Sequence, residues 1–310
     1  MHPPFSMIFF TTLAGAAQGL LLVLVGIQLA VQWRLAEAPQ ALFTTGAAVI
    51  LVFSAIGLVA ATFHLGRPMR AWRSAAMWRT SWLSREVIVL PAFMAAVAAW
   101  GGLHWMGTPS MVAAILAAAL ALLLYLCTGM IYAAVKAIRQ WATPLTPLNY
   151  ALLGISSGML LATALTAWLA PQFAPTLAKL TICLIIAGAL TRGATLWRNL
   201  RLVPTTTTQT AIGVRHPKVE QKAQGAMGGS FNTREFFHGR TPQTVAAIRW
   251  TSALLGFAFP VLALALAPAA TSAALLAMLF VIQWVGMLAE RWSFFAEGQH
   301  PQNLYYQSRS

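Results

Sequence analysis

Residues 62–86 read TFHLGRPMRAWRSAAMWRTSWLSRE. This basic, tryptophan-rich stretch lies between two long apolar runs. It holds Arg67, Arg70, Arg73, Arg79 and Arg85 together with His64, Trp72, Trp78, Trp82 and Glu86. Arginine and tryptophan carry apolar bodies with polar tips, so a membrane boundary is where they crowd beside a hydrophobic span. The chemistry of the chain is expected here.

Working outward, composition places the rest of the chain in a bilayer. Hydrophobic residues make up 59% of 310, charged residues only 8%, and the mean hydropathy is +0.70. A soluble domain could not bury that much apolar surface. The N-terminal MHPPFSM lacks a basic stretch, and the run after it is long enough to span, so no cleavable signal is expected. Cys127 and Cys183 both sit inside apolar runs and supply no cluster, zinc or disulfide framework.

Eight apolar segments approach the length a membrane helix needs, at about 7–32, 41–63, 84–106, 110–135, 147–169, 175–197, 244–267 and 271–292. None alternates like a strand, and only helices or closed barrels satisfy their backbone in lipid. The expected fold is an all-α integral membrane protein, an eight-transmembrane-helix bundle forming a single membrane domain over 1–310. Gly46, Gly57, Gly154, Gly158 and Gly188 would let helix backbones approach, without identifying any particular contact.

With eight spans, both termini and the 2/3, 4/5 and 6/7 connections share one side. Of the 20 lysines and arginines, all but Arg34 and Lys179 fall on that side. The basic side, with both termini, is therefore expected to be cytoplasmic. A net charge of +14 would also suit nucleic acid, but basic residues confined to one membrane face are explained by topology and anionic lipid. No nucleic-acid partner is expected.

The long 6/7 connection, 199–243, mixes threonine, glycine and proline with the aromatics of FNTREFF. Long connections of this kind are functional or disordered, and exposed aromatics favour a docking surface. The tail, 293–310, has the same character, although its NLYYQS resembles a protease-site scar. Phe231, Arg234, Glu235 and Phe236 in the connection, with Arg291 and Trp292 at the last span, are the candidate partner-docking residues.

His64 closes the second span just before Gly66 and Pro68. Its imidazole can donate and accept hydrogen bonds and titrates near neutrality, which suits a quinone carbonyl that gains protons with electrons. It can equally be an interfacial histidine that caps its helix. Glu86 opens the third span and could relay protons, but pairing with Arg85, Arg79 or Arg73 is the reading the residues favour. Glu235 beside Arg234 and Glu290 beside Arg291 also read as structural pairs. Haem would need two histidines at one level on facing helices, and only His64 and His104 adjoin spans, on opposite faces. Neither haem nor metal is expected.

HLGRPMRAW followed by SWLSREV, and the closing ERWSFFAEGQHPQNLYY, resemble the membrane anchor subunit family of DMSO reductase type complexes. The likeness covers nearly the whole chain. Within that family MHPPFSMIFFTT, AIGVRHPKVEQ and GGSFNTREFFHG are most similar to anchors of membrane-bound sulfite dehydrogenases. DMSO reductase anchors share HLG, the proline and the following arginine, then diverge.

The resemblance implies a three-subunit complex in a bacterial inner membrane. One soluble partner would carry molybdopterin guanine dinucleotide, the other a row of [4Fe-4S] clusters, and this multi-pass chain would exchange electrons with ubiquinone or menaquinone. It also implies a quinone-site role for His64, with Gly66, Pro68 and Arg70 matching the motif. From their clustering at the same membrane edge, Arg70, Arg73, Trp82 and Glu86 are wall or relay candidates. Partners on the basic face fit cytoplasmic sulfite oxidation. A DMSO reductase type complex oxidising menaquinol is the alternative, placed second because those complexes export their catalytic subunits whereas the basic face here is expected to be cytoplasmic. A small-anion transporter is the reading from another class, though its charges would lie within spans. An anchor without quinone chemistry also stays open.

Overall fold

The computed structural model describes residues 5–63, 65–203, 207, 209–210, 213–214, 216, 241–267 and 271–298. The described chain is helical, with eight helices long and apolar enough to cross a membrane. They are α1 (Phe5–Gln32), α2 (Gln40–Thr62), α3 (Trp82–Trp105), α4 (Met111–Ala133), α5 (Leu145–Leu169), α6 (Ala174–Leu200), α7 (Pro242–Leu266) and α8 (Ala273–Ala296). The expected spans recur within a few residues. The exception is α8, which runs on to Ala296 through residues that read as tail.

Local chemistry starts several of these helices. Ser81, Ser110, Thr241 and Ser272 are N-caps whose hydroxyls accept from Ser84 N, Ala113 N, Thr244 N and Leu275 N, satisfying backbone donors that have no intrahelical partner. A 3₁₀ segment, Pro68–Met77, fills most of the 2/3 connection. Within α7 a π-helical stretch covers Ser252–Ala258.

α1 is the axis of the bundle. Its most apolar window is 89% buried, against 22% for α6 and 17% for α7. α1 packs mainly on α2 and α5, α3 pairs with α4, and α5 also carries α6 and α8. At the α1–α5 crossing, Gly19 and Gly158 leave no room for a Cβ on either side, so the backbones touch directly. Tyr125 locks the same crossing, its ring against Gly154 and its hydroxyl donating to Gly15 O at 2.6 Å. Gly256 and Gly286 make a second backbone contact that holds α7 to α8.

The connections sort to two ends. At one, Trp141 of the 4/5 connection donates to Phe294 O at 2.9 Å, and Ile8, Tyr132, Tyr150, Phe294 and Phe295 form one buried cluster. At the other, Gln40 Nε2 donates to His104 O, and Gln172 donates to Glu37 O at 2.8 Å. The first end is the basic one.

Candidate functional site at the basic end of the bundle

The connection between α2 and α3 lies open. Gly66, Arg70 and Arg73 are exposed, as are Met69, Trp72, Met77 and Trp78. Arginines lean on their tryptophan neighbours: Arg73 Cζ lies 5.5 Å from the Trp72 ring centre, Arg79 5.4 Å from Trp78 and Arg85 4.2 Å from Trp82. Arg85 also donates to Trp78 O at 2.9 Å and Arg79 O at 2.8 Å, which folds the end of the connection onto the start of α3. His64 lies outside the described residues. Pro68 begins the 3₁₀ segment.

Glu86 turns the other way. It is 4% exposed and takes a hydrogen bond on Oε1 from Thr128 Oγ1 of α4. The expected pairing with Arg85, Arg79 or Arg73 is not what forms. Helical spacing explains this, because Glu86 shares the inward stripe of Val89, Leu90, Phe93, Val97, Trp100 and His104, whereas Arg85 sits a residue off it. Trp82, half-buried, closes the stripe at the surface.

Thr128 also lines a small cavity of about 10 Å³ with Gln18, Tyr125 and Tyr150. Gln18 Oε1 and Tyr150 Oη are buried there without a hydrogen-bond partner. The space suits about one water molecule. Tyr150 stacks on Tyr132 at 5.5 Å, and the Arg291 guanidinium lies 3.7 Å from the centre of the Tyr150 ring.

Arg291 opens onto a buried ion cluster. Its Nε is 3.5 Å from Glu290 Oε2, Glu290 Oε1 is 2.9 Å from Arg192 Nε, and Arg192 Nη2 donates to Glu297 Oε2 at 3.3 Å. Arg249 Nη2 approaches Glu297 Oε1 at 3.8 Å. Arg291, a docking candidate, is thus an interior residue 5% exposed. Trp292 is half-buried. Phe231, Arg234, Glu235 and Phe236 lie outside the described residues, as does most of 199–243. Burial pushes the Glu297 carboxyl above its ordinary pKa, and Arg192 and Arg249 oppose that shift.

The expected Glu290–Arg291 pair forms, but Thr128, Tyr150 and the extension of the ion cluster to Arg192, Arg249 and Glu297 were not found by sequence reasoning. Arg192 carried a signal, since a cation well inside an apolar span needs a partner. Glu290 and Glu297 lie seven residues apart, on one helix face. A groove of about 570 Å³ between α6 and α7 had no sequence signal; Arg192, Arg249, Ser293 and Glu297 stand at its polar end. Among the described residues, no three His, Cys, Asp or Glu side chains come together as a metal site.

Fold and site together define a polytopic helical membrane protein with its polar chemistry gathered at one end. The model of the DMSO reductase anchor subunit (DmsC) family matches residues 1–295, and the chain belongs to that family. It is similar to a sulfite dehydrogenase subunit of Allochromatium vinosum, at 48% identity over 324 residues that cover 99% of each chain.

Proposed function

We propose that this chain is the quinone-reactive anchor of a three-subunit molybdenum and iron-sulfur oxidoreductase. An iron-sulfur partner docks on the basic end, which faces the cytoplasm, and a molybdopterin partner beyond it oxidises sulfite. The family membership and the sulfite dehydrogenase relative support this reading. The positive-inside bias supports the orientation.

The single observation that carries the quinone reading is Glu86. A carboxyl buried this close to an exposed basic connection, held by a hydroxyl and by no arginine, is placed to exchange a proton rather than to bind a cation. Trp82 lies one helical turn before it, and the connection between α2 and α3 is at the same end. The quinone supplies the redox chemistry. The chain's own residues orient the ring and move protons: His64 hydrogen-bonds a carbonyl, and Glu86 takes up or gives the proton that accompanies each electron. Met69, Trp72, Met77 and Trp78, exposed together, form an apolar surface suited to the iron-sulfur partner.

The test is turnover of the purified complex with two acceptors. Glu86→Gln and His64→Ala are expected to stop sulfite-dependent quinone reduction while the subunits stay together and reduce an artificial dye at the normal rate. Unchanged quinone reduction in both variants would remove the site. A complex that oxidises menaquinol at the expense of a sulfoxide would reverse the direction and keep the site.

A further inference from the structure

α6 and α7 are the least buried spans, and between them runs the groove of about 570 Å³. Its walls are apolar, with Ile186, Leu190 and Leu262 among them, and most residues of both wall helices are not buried in the bundle. Its polar end differs. Arg192 and Ser293 line it, each 5% exposed, and Arg192 Nη1 and Ser293 Oγ have no hydrogen-bond partner. Arg249 lines the same end with its side chain half exposed.

We infer that this groove binds an anionic phospholipid, with an acyl chain along α6 and α7 and the phosphodiester at Arg249 and Arg192. Charge balance selects the occupant. Among the described residues, Glu297 offsets one of the two guanidiniums at the groove's end, and Glu290 and Arg291 behind it cancel, which leaves one positive charge. A neutral quinone head would leave that charge uncompensated in the membrane. A phosphodiester neutralises it and matches the planar donor fork of arginine. Arg249 lies in the second turn of α7 at the basic end, the level at which basic pockets between membrane helices meet headgroups. The lipid would also cover the gap beside α7, which is held to the bundle chiefly by its contact with α8.

The test uses the whole complex, exchanged into nanodiscs of phosphatidylcholine containing about 10% phosphatidylglycerol, with bound lipid then counted by native mass spectrometry. The wild type is expected to retain phosphatidylglycerol in preference to phosphatidylcholine. Arg249→Gln should lower that preference about fivefold, the effect of one arginine on an anionic headgroup. Arg249→Lys should keep most of it, and Arg201→Gln, at the same end but outside the groove, should leave it unchanged. The inference is overturned if Arg249→Gln retains as much phosphatidylglycerol as the wild type, if Arg249→Lys falls as far as Arg249→Gln, or if the molecule lost from Arg249→Gln is a quinone.

Discussion

Replacing Arg192 by methionine tests whether the ion cluster holds α6 to α8. The guanidinium is 6% exposed and contacts Glu290 at 2.9 Å and Glu297 at 3.3 Å, whose side chains are 2% and 9% exposed. Removing it leaves two buried carboxylates. Arg291 stays 3.5 Å from Glu290 and Arg249 3.8 Å from Glu297, but both contacts are too long to replace what is lost. Breaking one buried pair costs about 3–5 kcal/mol, and the surviving arginines argue for that range rather than twice it. In SDS titration of the chain in mild detergent, followed by tryptophan fluorescence, Arg192→Met should lose about 3–5 kcal/mol. Adding Glu297→Gln should recover part of it, because Glu290 keeps the buried Arg291 beside it and the second carboxylate is gone. If the single variant unfolds within about 1 kcal/mol of the wild type, or the double variant is no better than the single, the cluster is not the clamp described.

Three further outcomes are expected. Burial raises the Glu297 pKa above its ordinary 4.5, so the protonated form favours the fold. Stability should be highest below that ordinary value and fall as pH rises through the raised one, and Glu297→Gln should abolish this fall in the same titration. Gly158→Ala should lose about 1–3 kcal/mol or fail to assemble, because its methyl meets the Gly19 backbone, whereas Gly26→Ala, with nothing within 4 Å, should be neutral or slightly stabilising. Under the proposed function, Thr128→Val should slow quinone-linked turnover about tenfold at unchanged dye-linked turnover, with Thr128→Ser close to wild type.

The spans were legible because length and hydropathy are one-dimensional, and a bilayer leaves no other use for such runs. The end of α8 was not, because SFFA follows the charged Glu290 and Arg291 and reads as tail. Those charges fold inward onto Arg192 and Tyr150, so the helix continues to Ala296. Glu86 was found as a residue but given the wrong partners. Adjacency to Arg85 suggested pairing, while the spacing to Val89, Phe93 and Trp100 already placed it on the inward stripe. The groove left no trace in the sequence, since it comes from how loosely α6 and α7 meet. The steric reason lies in Gly256 and Gly286, which draw α7 against α8 instead.

The two polar groups at the basic end are joined rather than separate. From Glu86 the hydroxyl of Thr128 leads to the small cavity that Tyr150 lines, and Arg291 covers the Tyr150 ring on the way to Glu290, Arg192 and Glu297. Every member lies at one end of the bundle. Their shared position bears on energetics under the proposed function. Protons taken up with a quinone at Glu86 would come from the same side on which the sulfite-oxidising partner releases them, so turnover through this edge moves no net charge across the membrane. A route to the other face would need polar groups through the middle of α3 and α4. There the inward positions are Phe93, Val97, Ala117 and Ala121, all buried and apolar. At the opposite end, Trp100 and His104 both bond to Gln28 Oε1 and His104 stacks on Phe43, which fits a structural clasp rather than a proton exit.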